Sequence, residues 1–324
     1  MRPVRSTGFA ATVAALIAGG AAMVAAGLLL AVTPVSALAL QVTAAAQPTE
    51  FDKLEATLRA RVAETDGEVA VALMDLETGL RIGINEHTSM HAASTMKVPV
   101  LLELFRQVDA GRFAADDSIV VGNQFVSIAD GSTYTLGTDR DTEIIEQLGQ
   151  KMSLRRLASG MSIISSNLAT NILIDVVTAD SVQRTMASIG ASDMRVLRGV
   201  SDDPAFRAGM NNTTTAAALA RVLEAIARCE LNTRASCDAM MEILEGQRFR
   251  GQIPAGLPDG VRIGNKTGSI TAHRHDGAII FPEGRQPYIL VVLTRNVDSI
   301  EAANQVAVDV SRLVWQALAA ARSD

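Results

Sequence analysis

Ser94 and Lys97 are the first residues whose types and spacing could support covalent chemistry. They stand one helical turn apart at the start of an apolar segment that predicts a helix, which would bring the lysine amine within hydrogen-bond reach of the serine hydroxyl. A serine becomes a nucleophile when a base accepts its proton, and a helix start offers unpaired N–H groups that can bind an oxyanion. A Ser-x-x-Lys match is expected about once by chance in a chain of this size, so the pair alone also fits a solvated lysine at a helix start.

Two further groups of residues change that balance. Ser165 and Asn167 interrupt an apolar helical pattern roughly seventy residues after Ser94, and Lys266 and Thr267 end a strand-like run roughly one hundred residues later. Acyl transfer from an amide needs a nucleophile, a proton path and a group that binds anions. The three groups could supply all of these if the fold brings them to one cavity.

In order and separation, the three groups resemble the motif set of class A β-lactamases and penicillin-binding proteins. The resemblance covers nearly the whole chain after its N-terminal segment. It implies that Ser94 is acylated, that a neutral Lys97 accepts its proton, and that Ser165 passes this proton to the leaving nitrogen. Burial and the positive charge of Lys266 would both favour the neutral amine of Lys97.

The resemblance also implies substrate-binding roles. Asn167 would orient an amide side chain of the substrate, and Lys266 and Thr267 would bind a substrate carboxylate. Gly268 would let the strand approach the ligand closely. The oxyanion would be bound by the backbone N–H groups of the nucleophile and of Ser269, each typically worth about 3 to 4 kcal/mol.

Three other residues are candidates for ligand contacts. Arg274 or His275, on the strand after Gly268, could give the carboxylate a second contact, or could be solvent-facing polar residues. Tyr134 lies in a polar, turn-rich stretch at residues 113–150, where it could stack on a ligand at the mouth of a cleft or pin its own loop.

The chain departs from the class A pattern in the loop 192–212. Class A β-lactamases have a glutamate there that activates the water that frees the acyl group, but this loop contains no glutamate. Arg198 matches the loop's usual arginine. Counting onward puts Val200 near the glutamate's place and Asn212 where the arginine's aspartate partner is expected.

Two interpretations of this departure are open. Asp202 or Asp203 could serve as a shorter base that acts through a water, although both could equally cap the loop by accepting local N–H groups. Otherwise deacylation is slow, because a positioned general base is worth roughly 10²- to 10⁴-fold. The candidate functions are therefore a β-lactamase that acts through Ser94, a D,D-peptidase or esterase acting on cell-wall peptides or small esters, and an acyl-trapping β-lactam sensor.

The hydropathy pattern predicts an α/β (α+β) fold in which an antiparallel sheet is built from both chain ends, flanked by helices, with an inserted all-helical domain. Strand-like runs lie near both ends of the chain, at residues 68–75, 80–84, 262–267, 278–281 and 288–293. The predicted boundaries are a signal peptide or anchor at 1–46 and a catalytic domain at 47–324, with an α/β part at about 49–90 and 257–324 and a helical part at about 91–256. A ligand would bind in the crevice between these parts.

The N-terminus has the layout of a secretory signal. Arg2 and Arg5 precede an apolar run that extends to about Val32, and small residues follow it. We predict export to the periplasm or the medium, with cleavage after Ala39 or after Ala46. The run is long enough to remain instead as an N-terminal anchor in the inner membrane.

The amino-acid composition limits the partners and ligands that this protein is expected to bind. A net charge of −6 without a basic stripe argues against binding of nucleic acid. The only cysteines, Cys229 and Cys237, predict a short disulfide in an exported chain, with two unpaired apolar side chains as the alternative. The four histidines lie far from them in sequence, so we predict no metal site and no cofactor. We expect a monomer that binds a small β-lactam, peptide or ester.

Overall fold

A computed structural model describes residues 49–320, and the predicted leader with both cleavage positions lies outside these residues. The helices are α1 (Glu50–Ala63), α2 (Lys97–Asp109), α3 (Thr142–Glu146), α4 (Leu154–Ile163), α5 (Asn167–Val177), α6 (Ala179–Ser188), α7 (Asp203–Arg207), α8 (Ala216–Arg228), α9 (Arg234–Glu245) and α10 (Ile300–Ala320). The strands are β1 (Glu68–Asp75), β2 (Arg81–Ile84), β3 (Met90–His91), β4 (Ser118–Val120), β5 (Phe125–Val126), β6 (Thr133–Tyr134), β7 (Lys151–Ser153), β8 (Thr213–Thr214), β9 (Arg262–Ile270), β10 (His273–Phe281) and β11 (Tyr288–Arg295). None of the described helices combines the length and apolar character needed to cross a membrane.

Strands from both chain ends form one antiparallel sheet, which confirms the predicted fold class. Its order is β2-β1-β11-β10-β9, with Val71 opposite Val292 in the β1–β11 pair and Gly277 opposite Lys266 in the β10–β9 pair. The inserted part is mainly rather than entirely helical, because β4 pairs with β7 and β5 with β6. Strand β9 is at the edge of the sheet and contacts the 3-10 turn Ala93–Met96.

Both faces of the sheet are buried. Successive side chains of a strand point to opposite sides, so each strand contributes residues to both cores. On β1, Ala70 and Ala72 belong to the core shared with the inserted helices. Val71 and Leu73 belong to the core shared with α1 and α10. Complete burial of one aliphatic side chain of this size contributes roughly 1.5 to 3 kcal/mol, so the two cores make the sheet a firm support for β9.

Helix α2 lies at the centre of the inserted part and contacts α4, α5, α6, α8 and α9. Its residues from Lys97 to Phe105 are all buried. The buried carboxylate of Glu103 accepts hydrogen bonds from Arg106, Gln107 and Thr185 at 2.6 to 2.7 Å, which offsets the cost of burying a charge. The turn that precedes α2 is therefore fixed by a helix that is buried over most of its length.

Local capping fixes several helix ends. Helix α1 has a reciprocal cap at its start, since Thr49 Oγ1 accepts the Asp52 N–H at 3.1 Å and Asp52 Oδ2 accepts the Thr49 N–H at 2.8 Å. Cys229 ends α8 in a left-handed conformation, with φ of 55°, and a disulfide joins it to Cys237 in α9. This bridge restrains the connection between the two helices.

Candidate active site

Ser94 lies on the 3-10 turn Ala93–Met96, and its half-buried side chain lines a cavity. Ala93 has a φ of 46°, a left-handed conformation that is costly for a residue with a Cβ. Its N–H donates to His91 Nδ1 at 2.9 Å, which helps to stabilise the turn. No hydrogen bond from the Ser94 N–H occurs within residues 49–320, so this group can donate to an oxyanion.

The amine of Lys97 is completely buried and points at the second motif. Its Nζ lies 2.8 Å from the Ser165 carbonyl oxygen, 3.1 Å from Ser165 Oγ, 3.3 Å from the Ser166 carbonyl oxygen and 3.0 Å from Asn167 Oδ1. The predicted direct hydrogen bond between Lys97 and Ser94 is not among those of the described residues. Hydrogen bonds of catalytic groups are often long in unliganded sites and shorten when substrate binds.

Burial lowers the pKa of Lys97 well below its ordinary value, and the positive charge of Lys266 lowers it further. The charge of Arg140 acts in the same direction, whereas the carboxylate of Asp139 opposes it. Burial and the charge of Lys266, the two causes expected from the sequence, therefore favour a neutral amine that can accept a proton from Ser94.

Ser165 lies between two amines. Lys97 Nζ is 3.1 Å and Lys266 Nζ is 3.2 Å from its Oγ, and the Ser165 backbone has a φ of 63° at the break between α4 and α5. Because a hydroxyl both accepts and donates, Ser165 can receive a proton from one amine and pass its own to a ligand.

Lys266 lies behind the cavity wall. Its side chain is 1% exposed, and its Nζ also donates to the Thr267 carbonyl oxygen at 2.9 Å. Burial lowers the pKa of Lys266 to about 7, partly countered by the Asp276 carboxylate. Burial in turn raises the pKa of Asp276, which accepts hydrogen bonds from Asn265 at 2.9 Å and from the Ile253 N–H at 3.1 Å. The predicted contact of Lys266 with a substrate carboxylate stays a prediction, and Thr267 is the member of this motif that lines the cavity.

Gly268 brings β9 against the nucleophile turn. A Cβ at this position would lie 3.1 Å from Thr95 Cγ2 and 3.2 Å from both the Ala92 carbonyl oxygen and Ala93 Cβ. The glycine is therefore needed for the contact between β9 and this turn, rather than for a ligand alone. Ser269, one residue further on, lines the cavity beside Ser94, and the role of its N–H as an oxyanion donor stays a prediction.

The cavity that Ser94 lines has a volume of about 560 Å³. Its wall combines the predicted groups with residues from α10 and from the segment after α9, and consists of Ser94, Arg140, Ser165, Asn167, Arg248, Phe249, Arg250, Gly251, Gln252, Thr267, Ser269, Arg274, Ile300 and Asn304. This wall contains four arginines and no aspartate or glutamate within the described part of the chain.

The two candidate deacylation bases are not in this wall, which corrects that hypothesis. Asp202 is buried and caps α7, because its Oδ1 accepts the Ser127 hydroxyl at 2.6 Å and the Ala205 N–H at 3.1 Å, while its Oδ2 accepts the Ile128 N–H at 3.1 Å. Asp203 is exposed on α7. The capping alternative explains Asp202, and neither carboxylate is placed to activate a water beside Ser94.

His275 and Tyr134 are also absent from this wall. His275 is fully buried, with Nε2 2.9 Å from the His91 carbonyl oxygen, and Nδ1 accepts the Thr294 N–H at 3.3 Å. Burial lowers the pKa of His275 to about 4, so the ring is neutral. Arg274, the other alternative, lines the cavity. Tyr134 packs against Phe125 in a tilted arrangement with ring centroids 5.8 Å apart, and this contact supports its own loop.

Two further residues position the site through hydrogen bonds to its backbone. Asp139 accepts the N–H groups of Asn167 at 2.6 Å and Leu168 at 2.8 Å, and so orients the start of α5. Asn171 Oδ1 accepts the Val200 N–H at 2.6 Å, and its Nδ2 donates to the Val200 carbonyl oxygen at 2.9 Å. Asn171 had a detectable signal, since it follows Asn167 by one helical turn, whereas Asp139 lies in an unpatterned loop.

The loop 192–212 is closed without an ion pair. Asn212 Oδ1 accepts the Leu197 N–H at 2.8 Å and the Arg198 N–H at 3.2 Å, and Asn212 Nδ2 donates to the Arg198 carbonyl oxygen at 2.9 Å. The Arg198 guanidinium donates instead to the carbonyl oxygen of Met210 at 2.8 Å and to Asn211 Oδ1 at 3.0 Å. Amide hydrogen bonds thus replace the expected arginine–aspartate contact.

Known proteins resemble this chain in sequence and fold over most of its described residues. A sequence model of the β-lactamase enzyme family matches residues 53–318. A β-lactamase of Rhodobacter capsulatus is 30% identical over 280 residues, which cover 84% of this chain and 90% of that protein. An ancestral (GNCA) class A β-lactamase structure has a TM-score of 0.71 at 26% identity, over 82% of this chain and 99% of that one. The structure of PBP-A has a TM-score of 0.71 at 22% identity, over 83% and 96% of the two chains, and shares the fold.

Proposed function

The chain belongs to the β-lactamase enzyme family and is a serine β-lactamase-like hydrolase, and we propose accordingly that it opens β-lactam amides through an acyl-enzyme on Ser94 and releases the acyl group slowly. The observation that carries this proposal is the Ser165 hydroxyl between the buried amines of Lys97 and Lys266, next to the cavity that Ser94 lines.

Acylation follows from this geometry. Ser94 Oγ attacks the lactam carbonyl carbon while its proton moves to the neutral Lys97 amine. The N–H groups of Ser94 and Ser269 stabilise the oxyanion. The proton then passes through Ser165 to the lactam nitrogen as the carbon–nitrogen bond breaks, which leaves an ester on Ser94. Thr267 and Arg274 bind the substrate carboxylate, and the charge of Lys266 supports them from behind.

Deacylation by water needs a general base, a role that a carboxylate could fill. A water must attack the Ser94 ester, and the cavity wall of the described residues has no carboxylate to accept its proton. Since a positioned base contributes roughly 10²- to 10⁴-fold, the acyl-enzyme should accumulate during turnover.

A D,D-peptidase or esterase is the second candidate, and the same lack of a carboxylate favours it. An enzyme that transfers its acyl group to an amine, or hydrolyses reactive esters, does not depend on rapid hydrolysis of a β-lactam adduct. An acyl-trapping sensor is the limiting case, in which the adduct is never released. The shared fold does not separate these functions.

Stopped-flow hydrolysis of a chromogenic cephalosporin tests the proposal. We expect a burst close to one equivalent of enzyme, followed by a slow steady state that deacylation limits. Parallel assays with a peptide ending in D-alanyl-D-alanine and with a thioester analogue test the second candidate. Rapid turnover without a burst would contradict slow deacylation, and the absence of any reaction with the cephalosporin would contradict the β-lactamase proposal.

We also propose that the protein is exported, as a periplasmic or secreted monomer or as one anchored by an uncleaved leader. Arg2, Arg5 and the apolar run after them support export, as does the disulfide between Cys229 and Cys237, since disulfides persist mainly in oxidising compartments. Fractionation of cells that express the full chain, with mass determination and light scattering, tests this. A full-length protein with free thiols in the cytoplasmic fraction would contradict it.

A further inference from the structure

The cavity beside Ser94 has more positive charge than one substrate carboxylate requires. Arg274 lies on β10, next to the Thr267 strand, and Arg140, Arg248 and Arg250 line the same cavity. None of the four is within 4.0 Å of a carboxylate of residues 49–320, whereas Arg156 and Arg285, elsewhere in the protein, each form ion pairs. In a chain of net charge −6, this concentration of unpaired guanidinium groups is local to the cavity.

The backbone that carries Arg248 and Arg250 is fixed at both ends. At its start, Gln247 Nε2 donates to the Ser162 carbonyl oxygen at 3.0 Å, and the Arg248 N–H donates to the Ile163 carbonyl oxygen at 3.2 Å. At its end, the Ile253 N–H donates to Asp276 at 3.1 Å. The two arginines therefore lie on a supported segment, which lowers the cost of ordering them around a ligand.

Arg140 is positioned by an aromatic ring. Its guanidinium carbon lies 5.0 Å from the centroid of the Phe249 ring, a cation–π distance, and Phe249 stands between Arg248 and Arg250 in sequence. One aromatic side chain thus connects the loop of Arg140 to the segment that carries the other two arginines.

The three arginines lie at the carboxylate-binding end of the site. The Phe249 carbonyl oxygen accepts a hydrogen bond from Asn265, the residue before Lys266, at 3.5 Å. The segment is also joined to Asp276 of β10 through Ile253, and the charge of Arg140 acts on Lys266. An anion bound by these arginines would therefore lie beside the substrate carboxylate, on the side of the leaving nitrogen.

We propose that Arg140, Arg248 and Arg250 form a second anion-binding subsite, and that the preferred acyl donors carry, besides the usual carboxylate, another anionic group on the side of the leaving nitrogen. This inference rests on the proposed function, because it assumes that Ser94 attacks an amide whose leaving part occupies this end of the cavity. Guanidinium groups bind carboxylates, sulfonates and phosphates through paired N–H donors.

Two cephalosporins with the same acyl side chain provide the test. Cefamandole and cefonicid differ at the tetrazole substituent, which is a methyl group in the first and a sulfomethyl group in the second, on the side of the leaving nitrogen. We expect Ser94 to be acylated by cefonicid with a second-order rate constant about tenfold higher at low ionic strength. Added salt should reduce the ratio, since screening weakens exposed charge interactions.

Variants assign the preference to named residues. The double variant Arg248→Gln/Arg250→Gln, and separately Arg140→Gln, should bring the cefonicid-to-cefamandole ratio towards one, whereas Arg248→Lys/Arg250→Lys should retain part of it. Arg112→Gln is the matched control, because Arg112 is exposed and lies outside the cavity wall. Far-ultraviolet circular dichroism verifies that each variant is folded.

A ratio near one in the wild type, or a ratio that the glutamine variants leave unchanged, would overturn the subsite while the proposed function stands. Benzylpenicillin and its α-carboxy derivative carbenicillin differ by an anion on the acyl side. A preference confined to that pair would overturn the assignment to the leaving side. If neither cephalosporin nor either penicillin acylates Ser94, the proposed function fails, and the subsite inference fails with it.

Discussion

Installing a glutamate at Val200 should convert slow deacylation into turnover. Val200 is half-buried, and the Asn171 side chain holds its backbone through hydrogen bonds of 2.6 and 2.9 Å. Asn171 follows Asn167, which lines the cavity, by four residues of α5, or about 6 Å along the helix. A glutamate at this anchored position would therefore have a fixed backbone and a side chain long enough to approach a water near the Ser94 ester.

The size of the effect follows from the role that is missing. A positioned general base gives roughly 10²- to 10⁴-fold, which corresponds to a barrier lower by about 3 to 5 kcal/mol. The surroundings of Val200 have not adapted to a carboxylate, so we expect Val200→Glu to reach the lower end, about 10²-fold in the deacylation rate. The acylation rate should change little, because Ser94, Lys97 and Ser165 are untouched.

The lifetime of the acyl-enzyme measures this prediction directly. Enzyme acylated by a penicillin is freed of excess drug, and loss of the adduct is followed by intact-mass spectrometry for the wild type, Val200→Glu and Val200→Gln. The glutamine variant has the same size without the basic oxygen, and should behave like the wild type. Equal adduct lifetimes for the glutamate and glutamine variants would refute the argument that the deficit is a base at this position.

Three further predictions concern the surrounding residues. Asp202→Asn and Asp203→Asn should both leave the adduct lifetime within about twofold. Only Asp202→Asn should lower the free energy of unfolding in urea, by about 1 to 3 kcal/mol, because it weakens a buried cap. A longer adduct lifetime in either variant would restore the substitute-base hypothesis. Gly268→Ala should slow acylation at least about tenfold by displacing β9 from the Ser94 turn. Gly137→Ala is the control, because a Cβ there meets nothing within 4 Å, and it should leave the acylation rate unchanged. Equal acylation rates for the two variants would contradict the close contact at Gly268. Burial lowers the pKa of His275 to about 4. Its neutral form therefore stabilises the fold fully above the unfolded pKa near 6.5, and this contribution, about 3 kcal/mol, is lost as the pH falls through 4. The stability advantage of wild type over His275→Gln in urea should shrink over that pH range, and a constant difference would refute the prediction.

The convergence of the three motifs was expected because their residue types, order and separations resemble those of a known family. Ser165 contacts both Lys97 and Lys266, although these residues are far apart along the chain. A direct hydrogen bond between Ser94 and Lys97 is not among those of residues 49–320, and their contact stays a prediction. Helical spacing predicts which face of a helix two side chains share. The Lys97 amine instead lies among four oxygens of residues 165–167, and the sequence does not predict how the helix break at these residues is oriented.

The other errors have physical causes that a single sequence does not reveal. Arg274 and His275 are adjacent on β10, so their side chains point to opposite faces, and two polar residues give no hydrophobic alternation to decide which one faces the ligand. Asp202 was identified as a loop residue, but the direction of its carboxylate depends on Ser127, which is distant in sequence and joins it only in the fold. The fold class, in contrast, followed from strand patterns at both chain ends.

The most direct test of the account is the intact mass of the protein after mixing with benzylpenicillin, compared between wild type and Ser94→Ala. We predict that the wild type gains the mass of one penicillin, that the modified peptide contains Ser94, and that the alanine variant gains nothing. A wild type that remains unmodified and releases no penicilloate, or an alanine variant that gains the same adduct, would contradict the central claim that Ser94 is the acylated nucleophile.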